Sequence, residues 1–368
     1  MKTISDHPAL RGLPAVWLRV NCPCPRCQDP RSGQRLAAIT DVPADVAIDH
    51  VTVADGGTVQ VIFGPDGHRA DFDSRWLAQY GPFGTATPDD RTEAAKRLWT
   101  AGDISADLPS GRWPRYLASR SHRRECLHAL LSTGFVLLHD VPAEPGLVLD
   151  VAATMGFVRE TNYGRLFDVR VEATPDNLAY TGLPITPHTD NPYRDPVPTV
   201  QLLHCLVAAP DGGGETGLVD GFMAARTLRT EHPAAFSLLA STPVQFAYRD
   251  ATAELRATRP VIGLDPLGRV REIRFNHRSL QPVRLPPREA GPFYAAYRAF
   301  ASMLNRPELM LTFRLKPGDC LVFDNTRILH ARTGFAATGR RHLQGCYSDL
   351  DGVASTLALL RREQAAAR

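Results

Sequence analysis

A chain of 368 residues with 43% hydrophobic content can bury a full core and can hold a small domain beside a large one. Lys+Arg at 42 against Asp+Glu at 39 leaves a formal charge of +3, which carries no nucleic-acid footprint. Seven cysteines, an odd number, and the lack of any apolar run of signal-peptide or membrane-span length argue against a secreted disulfide framework or a membrane protein. They point to a cytoplasmic chain with reduced thiols.

In chain order, residues 1–85 read as a small β-rich unit. Ala15 to Val20 is a short apolar run, and Val46 to Val53 and Thr58 to Phe63 flank Asp55-Gly56-Gly57 in the pattern of a hairpin. The turn Pro65-Asp66-Gly67 then delivers His68. Three thiols within Cys22-Pro23-Cys24-Pro25-Arg26-Cys27 and one histidine brought back by a hairpin suit a closed tetrahedral Zn(II) site made of Cys22, Cys24, Cys27 and His68. His50 is a rival fourth ligand, and incidental surface thiols are the plainer alternative. With no open coordination position such a zinc is structural, and its binding is coupled to folding.

Residues 86–114, rich in Pro, Gly, Thr and Asp, read as a linker with one helix over 90–100. The second domain, 115–368, opens with a helix over 123–133, a buried strand at Phe135 to His139 and a helix over 147–155. Short apolar runs broken by Pro and Gly follow at 200–207, 217–219, 243–248, 260–264, 311–315 and 320–323. Such a series predicts a mainly β domain of two antiparallel sheets with flanking helices, a jelly roll or double-stranded β-helix. A helical stretch over 292–305 carries Phe293, Tyr297, Phe300 and Leu304 at core spacing, and the tail from Leu357 reads as helix. Cys126, Cys205, Cys320 and Cys346 sit among apolar neighbours as buried thiols, and His204 reads as a core histidine.

The chemistry concentrates in His188-Thr189-Asp190 and the distant His330. Two imidazoles and one carboxylate on one face of a pocket hold a non-haem Fe(II) and leave the opposite face open for substrate and O2. A lone His-x-Asp is common by chance, and Arg341 adds to it. Strand alternation through 341–347 sends Arg341, Leu343, Gly345 and Tyr347 to one face and His342 to the other, so Arg341, rather than its neighbour Arg340, can grip a dicarboxylate beside the metal. The hydroxyl of Thr216, in Gly213-Gly214-Glu215-Thr216, is a further donor.

His188-x-Asp190, His330 and Arg341, with Asn162-Tyr163-Gly164-Arg165-Leu166-Phe167-Asp168, Asn177-Leu178-Ala179-Tyr180, Gln201-Leu202-Leu203-His204-Cys205 and His342-Leu343-Gln344-Gly345-Cys346-Tyr347, make the chain resemble the Fe(II)/2-oxoglutarate dioxygenases of the gamma-butyrobetaine and trimethyllysine hydroxylase branch. The motifs run in the family's order across most of the chain. The resemblance implies hydroxylation of a small quaternary-ammonium substrate with 2-oxoglutarate and O2 as cosubstrates, ascorbate as reductant, an N-terminal zinc domain and a homodimer that uses neither nucleic acid nor membrane. It places Arg341 and Thr216 on 2-oxoglutarate, and Tyr163, Phe167, Tyr180 and Tyr347 in an aromatic cage around a trimethylammonium group, with a carboxylate such as Asp168 nearby. Phe167 stands where tryptophan is expected in the animal enzymes. Asn177 and Asn276 fit the anionic tail of gamma-butyrobetaine, the product then being L-carnitine. Arg278 instead suits a phosphonate, as in relatives that hydroxylate 2-(trimethylamino)ethylphosphonate. Trimethyllysine as substrate and a non-catalytic zinc-dependent interaction protein are the remaining alternatives.

Overall fold

The computed structural model describes residues 10, 12–54, 56–81, 91–171, 181–209, 213–336 and 341–366. The chain divides into two compact units, 1–87 and 88–368. In the first, helix α1 (Ala15–Val20) precedes a three-stranded antiparallel sheet in the order β1 (Ala47–Val53), β2 (Thr58–Gly64), β3 (Arg69–Asp73), closed by helix α2 (Ser74–Tyr80). Alternation along β2 and β3 drives Val59, Val61, Phe63, Ala70 and Phe72 into one core with Leu18 and Leu77. The run 15–20, expected within a β-rich unit, is helical: Pro14 occupies the N-cap, and burying Leu18 on a helix face outweighs the valine content. Asp73 ends β3 and caps α2 by accepting from the N–H groups of Arg75 and Trp76.

In the second unit, α3 (Ala101–Ile104), β4 (Ser110–Arg112), α4 (Trp113–Ala118), α5 (Arg120–Thr133), β5 (Phe135–His139) and α6 (Leu147–Ala153) lead into β6 (Phe167–Arg170), β7 (Ile185–His188), β8 (Val200–Val207) and β9 (Thr216–Asp220). Next come α7 (Gly221–Glu231), α8 (Pro233–Ser241), the hairpins β10 (Val244–Arg249)/β11 (Glu254–Arg259) and β12 (Ile262–Leu264)/β13 (Val270–Ile273), and α9 (Pro287–Leu304). The chain closes with β14 (Met310–Phe313), β15 (Cys320–Asp324), β16 (Ile328–Arg332), β17 (His342–Ser348) and α10 (Leu350–Ala366). A six-stranded sheet in the order β4-β5-β15-β8-β17-β6 faces a four-stranded sheet in the order β14-β9-β16-β7, and all pairings except β4-β5 are antiparallel. This is the jelly-roll sandwich that the strand pattern predicts.

Three apolar clusters build it. Phe135, Leu203, Leu321, Phe323, Leu218, Leu311 and Ile328 fill the space between the sheets. The outer face of the large sheet is covered by α5, α6 and α10, and that of the small sheet by α7, α8 and α9. β15 and β8, buried on both faces, are the central strands of the larger sheet.

Four sequence expectations change. The stretch read as a linker belongs, from residue 91, to the second unit: Trp99 is fully buried with its indole N–H on the Thr133 carbonyl, and β4 pairs with β5. In place of a helix over 90–100 there is a single 3-10 turn at Glu93–Ala95. Helix α9 begins at Pro287, five residues before the expected start, with Pro286 and Pro287 opening it and Pro292 inside it, where the Arg288 carbonyl loses its i+4 donor. Finally, α10 begins at Leu350 rather than Leu357, with Leu350 and Val353 in the core.

A buried ion pair joins these layers. Arg327, fully inaccessible, donates from Nε and Nη2 to the two carboxylate oxygens of Asp220 at 3.0 and 2.8 Å, and to the carbonyls of Ser132 and Arg97. Asp220 also caps α7 and accepts from the Trp99 N–H at 3.1 Å. Asp220→Ala strands the guanidinium and is expected to cost about 3–5 kcal/mol of unfolding free energy in denaturant titrations, whereas an unchanged midpoint would show the pair to be dispensable.

Candidate active site and metal centres

β7 ends at His188, Asp190 follows two residues on, and the chain turns at Asn191 with φ +55°. β16 lies beside β7 with His330 directly opposite His188, their rings 4.1 Å apart. One ligand atom from each of His188, Asp190 and His330 falls within 4.8 Å of the others, so one cation can touch all three.

The surrounding bonds present these atoms. His188 Nδ1 lies 2.9 Å from the Thr186 carbonyl, which can only accept, so Nδ1 carries the proton and the Nε2 lone pair points inward. Asp190 Oδ2 accepts from Gln201 Nε2 at 2.8 Å and from the Tyr347 hydroxyl at 3.0 Å, leaving Oδ1 on the side of His188 Nε2 at 3.4 Å. The backbone of Asp190 is clamped by Asn325, whose Oδ1 accepts its N–H and whose Nδ2 donates to its carbonyl and to that of Pro198. Burial pulls His330 down to about 3, so its imidazole is neutral. Burial alone would raise Asp190, but the His188 ring beside it and the charge of Arg278 outweigh it and hold the carboxyl well below its usual range. Neutral imidazoles and an ionised carboxylate are the states a divalent cation requires, and this donor set fits Fe(II).

The triad opens on a cavity of about 490 Å³. At one end Arg341 is buried against Gly214 and 5.5 Å from the ring of Phe335, and it makes no ion pair among the described residues. The backbone at Gly214 has φ +73°, which strains any other residue, and a Cβ there would lie 3.1 Å from the Arg341 side chain and press on it. Burial lowers the Arg341 pKa, the mark of a charge that lacks an anion. Thr216, also buried, lines the same end, opposite Arg332. Burial and the charges of Arg341 and Arg278 bring Arg332 down to about 10.

The other wall is aromatic. Tyr163, Phe167 and Tyr347 line it, with ring centroids 6.3 Å apart between the first two and 5.1 Å between the last two. The structure adds Tyr193, whose hydroxyl is 2.9 Å from that of Tyr163, and Tyr248, whose ring lies 5.1 Å from Tyr193 and 5.6 Å from Tyr163. Tyr193 follows Asp190 by three residues and was open to recognition, whereas Tyr248 comes from β10 with no motif around it. Gln201, Asn325 and Arg332 also escaped the sequence reading, since polar residues in strands and turns carry no spacing signal.

Asn276 lines the cavity, with its amide held between the Thr189 carbonyl and the Arg278 N–H. Arg278 is exposed at the cavity wall, and its charge acts on Asp190, His330 and Arg332. Asn177, Tyr180 and Arg340 lie outside the described residues. Asp168 does not serve the cage: one carboxylate oxygen takes His342 Nε2 at 2.7 Å and Gln344 Nε2 at 3.0 Å, and the residue is absent from the cavity lining. The pleat explains this, because Phe167 faces the cavity and its neighbour must face away. His204 is buried on the opposite face of β8 from Gln201 and Leu203, outside the site.

In the first unit, His68 Nε2 lies 3.1, 3.6 and 3.6 Å from the sulfurs of Cys22, Cys24 and Cys27. Zn–S and Zn–N bonds of about 2.3 and 2.0 Å at tetrahedral angles place nitrogen and sulfur about 3.5 Å apart, so the cluster fits Zn(II). His68 completes it, and exposed His50 does not. Arg19 supports the site, bonding Cys27 Sγ at 3.4 Å and Asp66 at 3.0 Å.

The jelly roll, the two-His-one-carboxylate triad and the uncompensated arginine define an Fe(II)/2-oxoglutarate-dependent dioxygenase. Residues 100–347 match the family described as taurine catabolism dioxygenase TauD, TfdA family, and residues 6–78 match gamma-butyrobetaine hydroxylase-like, N-terminal. Gamma-butyrobetaine dioxygenase from Pseudomonas sp. is 39% identical over 350 residues, 94% of this chain and 90% of that protein. Trimethyllysine dioxygenase from Meyerozyma guilliermondii is 31% identical over 362 residues, 94% and 89% of the two chains. The crystal structure of an asparagine oxygenase, at TM-score 0.50 and 18% identity, covers 64% of this chain and 81% of that one and shares the fold. The chain belongs to the TauD/TfdA dioxygenases, in the branch with the gamma-butyrobetaine and trimethyllysine dioxygenases.

Cys27→Ser is expected to reduce zinc from one equivalent per chain to a weakly held fraction and to melt the first unit at lower temperature; full zinc retention in elemental analysis would rule out the thiol as a ligand.

Proposed function

We propose that this chain hydroxylates an unactivated C–H bond of a small quaternary-ammonium compound, with gamma-butyrobetaine as substrate and L-carnitine as product. The observation that carries this reading is that one cavity joins the His188, Asp190 and His330 triad, the buried Arg341 and a wall of tyrosines and phenylalanine. Fe(II) held by His188, Asp190 and His330 would supply the C–H oxidation, with 2-oxoglutarate and O2 as cosubstrates, succinate and CO2 as coproducts and ascorbate as the external reductant.

The chain's own residues do the rest. Arg341 and Thr216 take the distal carboxylate of 2-oxoglutarate and aim its oxo-acid end at the triad. A trimethylammonium group has no N–H to donate, so Tyr163, Phe167, Tyr193, Tyr248 and Tyr347 hold it through ring quadrupoles. Tyr347 also donates to Asp190, and burial keeps its phenol protonated for that bond. Asn276, held between two backbone groups, addresses the anionic tail.

Arg278 supports a second reading. It makes no ion pair among the described residues, and a guanidinium turned to the cavity offers more charge than a carboxylate tail needs. 2-(Trimethylamino)ethylphosphonate, with a doubly charged tail, is that alternative.

Succinate release by the purified protein with Fe(II), ascorbate and 2-oxoglutarate tests both. Turnover on gamma-butyrobetaine, abolished by His188→Ala and little changed by Arg278→Ala, is the expected result. Turnover on the phosphonate alone, lost in Arg278→Ala, selects the second substrate, and silence on both in iron-loaded protein sinks the quaternary-ammonium assignment. Gln201→Leu removes one of the two bonds to Asp190 Oδ2 and is expected to weaken Fe(II) binding roughly 10–100-fold in metal titrations.

A further inference from the structure

Two tyrosines of the aromatic wall give their hydroxyl hydrogens to carboxylates. Tyr347 donates to Asp190 at 3.0 Å, and Tyr248 donates to Asp250 Oδ2 at 2.7 Å. Asp190 is committed to the metal triad, and Asp168 faces away from the cavity. Asp250 is thus a carboxylate that reaches the wall through a cavity-lining ring and serves no metal.

The β10/β11 hairpin fixes this pair. Phe246 of β10 is buried in the core, and the Ala247 N–H donates to the Ser279 carbonyl at 2.9 Å. Tyr248 then lines the cavity, stacked 5.1 Å from Tyr193 and edge-on 5.6 Å from Tyr163. Asp250 opens the turn that follows. Its Oδ1 accepts from the N–H groups of Thr252 and Ala253, both at 2.6 Å, and from the Thr252 hydroxyl at 2.9 Å, so the turn holds the carboxylate and leaves Oδ2 to the phenol. The Tyr248 hydroxyl, joined by the turn donors, brings the Asp250 carboxyl down to about 2, while burial and the neighbouring carboxylate raise the Tyr248 phenol. Near neutral pH the pair is therefore an anion and a protonated donor. A phenol that donates to a carboxylate is polarised by it, and a more electron-rich ring face holds a cation better.

We propose that Asp250 is a positioning residue for the cationic head of the substrate: it fixes the Tyr248 ring against Tyr193 and Tyr163 and, through the shared hydrogen bond, adds negative charge to the ring face that meets the trimethylammonium group. The proposal rests on the quaternary-ammonium reading given above. It makes the tip of the β10/β11 hairpin an element that prefers a cation over a neutral group of the same shape. Asp250 itself is exposed, so water screens its charge and its contribution is a modest addition to the hold of the rings.

The test compares a cation with its neutral isostere. Anaerobic full-length protein loaded with Fe(II) and 2-oxoglutarate is titrated calorimetrically with gamma-butyrobetaine and with 5,5-dimethylhexanoate, which has carbon in place of the nitrogen. If the phosphonate alone is turned over, the pair is 2-(trimethylamino)ethylphosphonate and 3,3-dimethylbutylphosphonate. Asp250→Asn keeps an oxygen for the turn and puts an amide nitrogen, which cannot accept, against the phenol. It is expected to weaken the cation roughly two- to fivefold and to leave the isostere unchanged, so that the preference falls by that factor. Tyr248→Phe keeps the ring and removes the hydroxyl; it is expected to lower the preference to a similar extent, and Asp250→Asn added to it to lower the preference no further. Equal weakening of cation and isostere by Asp250→Asn, as a purely structural turn residue would give, overturns the proposal. So does an unchanged preference, or a full second loss in the double variant. Wild-type protein that binds both compounds alike, or neither, overturns the quaternary-ammonium reading and this proposal with it.

Discussion

The turn at 324–327 between β15 and β16 is the constraint on which the catalytic unit depends, and the buried pair of Arg327 with Asp220 is its anchor. Each polar side chain in the turn is spent on a different neighbour. Asp324 closes the turn through the N–H and hydroxyl of Thr326, Asn325 clamps the backbone of Asp190, and Arg327 locks to the strand end that starts α7. Two metal ligands, Asp190 and His330, are thereby placed from one short segment. A buried pair so fully hydrogen-bonded contributes position more than net stability, because desolvation of both charges offsets much of their attraction.

The cavity is electrostatically lopsided, and that asymmetry is its chemistry. Arg341, Arg332 and Arg278 surround one end while Asp190 is the lone acid among the described lining residues. A dicarboxylate bound there offsets two of these positive charges. The aromatic wall then needs no formal charge to hold a cation, and its hydroxyls are tied to one another or to Asp190 and Asp250. A phenol whose hydroxyl is already bonded keeps its ring face available and its position defined.

The first unit uses a different economy of parts. Its sheet has three strands, and its core is small. Four ligands drawn from a loop and a hairpin stabilise such a unit by metal binding where apolar burial is limited. The Arg19 guanidinium, bonded to both Cys27 and Asp66, links the thiolate loop to the turn that delivers His68.

Local sequence determined a good deal. Strand alternation separated Arg341 and Tyr347 from His342, and Val200 to Val207 and Phe135 to His139 stand as strands at their expected bounds. The triad was legible because metal chemistry restricts ligands to a few residue types, and the cysteine cluster for the same reason. What tertiary structure decided lies where a residue's partner is distant in the chain. Asp168 lost its expected role because pairing of β6 with β17 turns it to His342. Tyr248 and Arg332 entered the site because β10 and the end of β16 pack around the same cavity, which no periodicity encodes. The segment after residue 91 became core because burying Trp99 against Phe135 outweighs its loop-like composition. Sequence thus names the groups that chemistry makes rare, and only the packed chain decides which common residues are brought beside them.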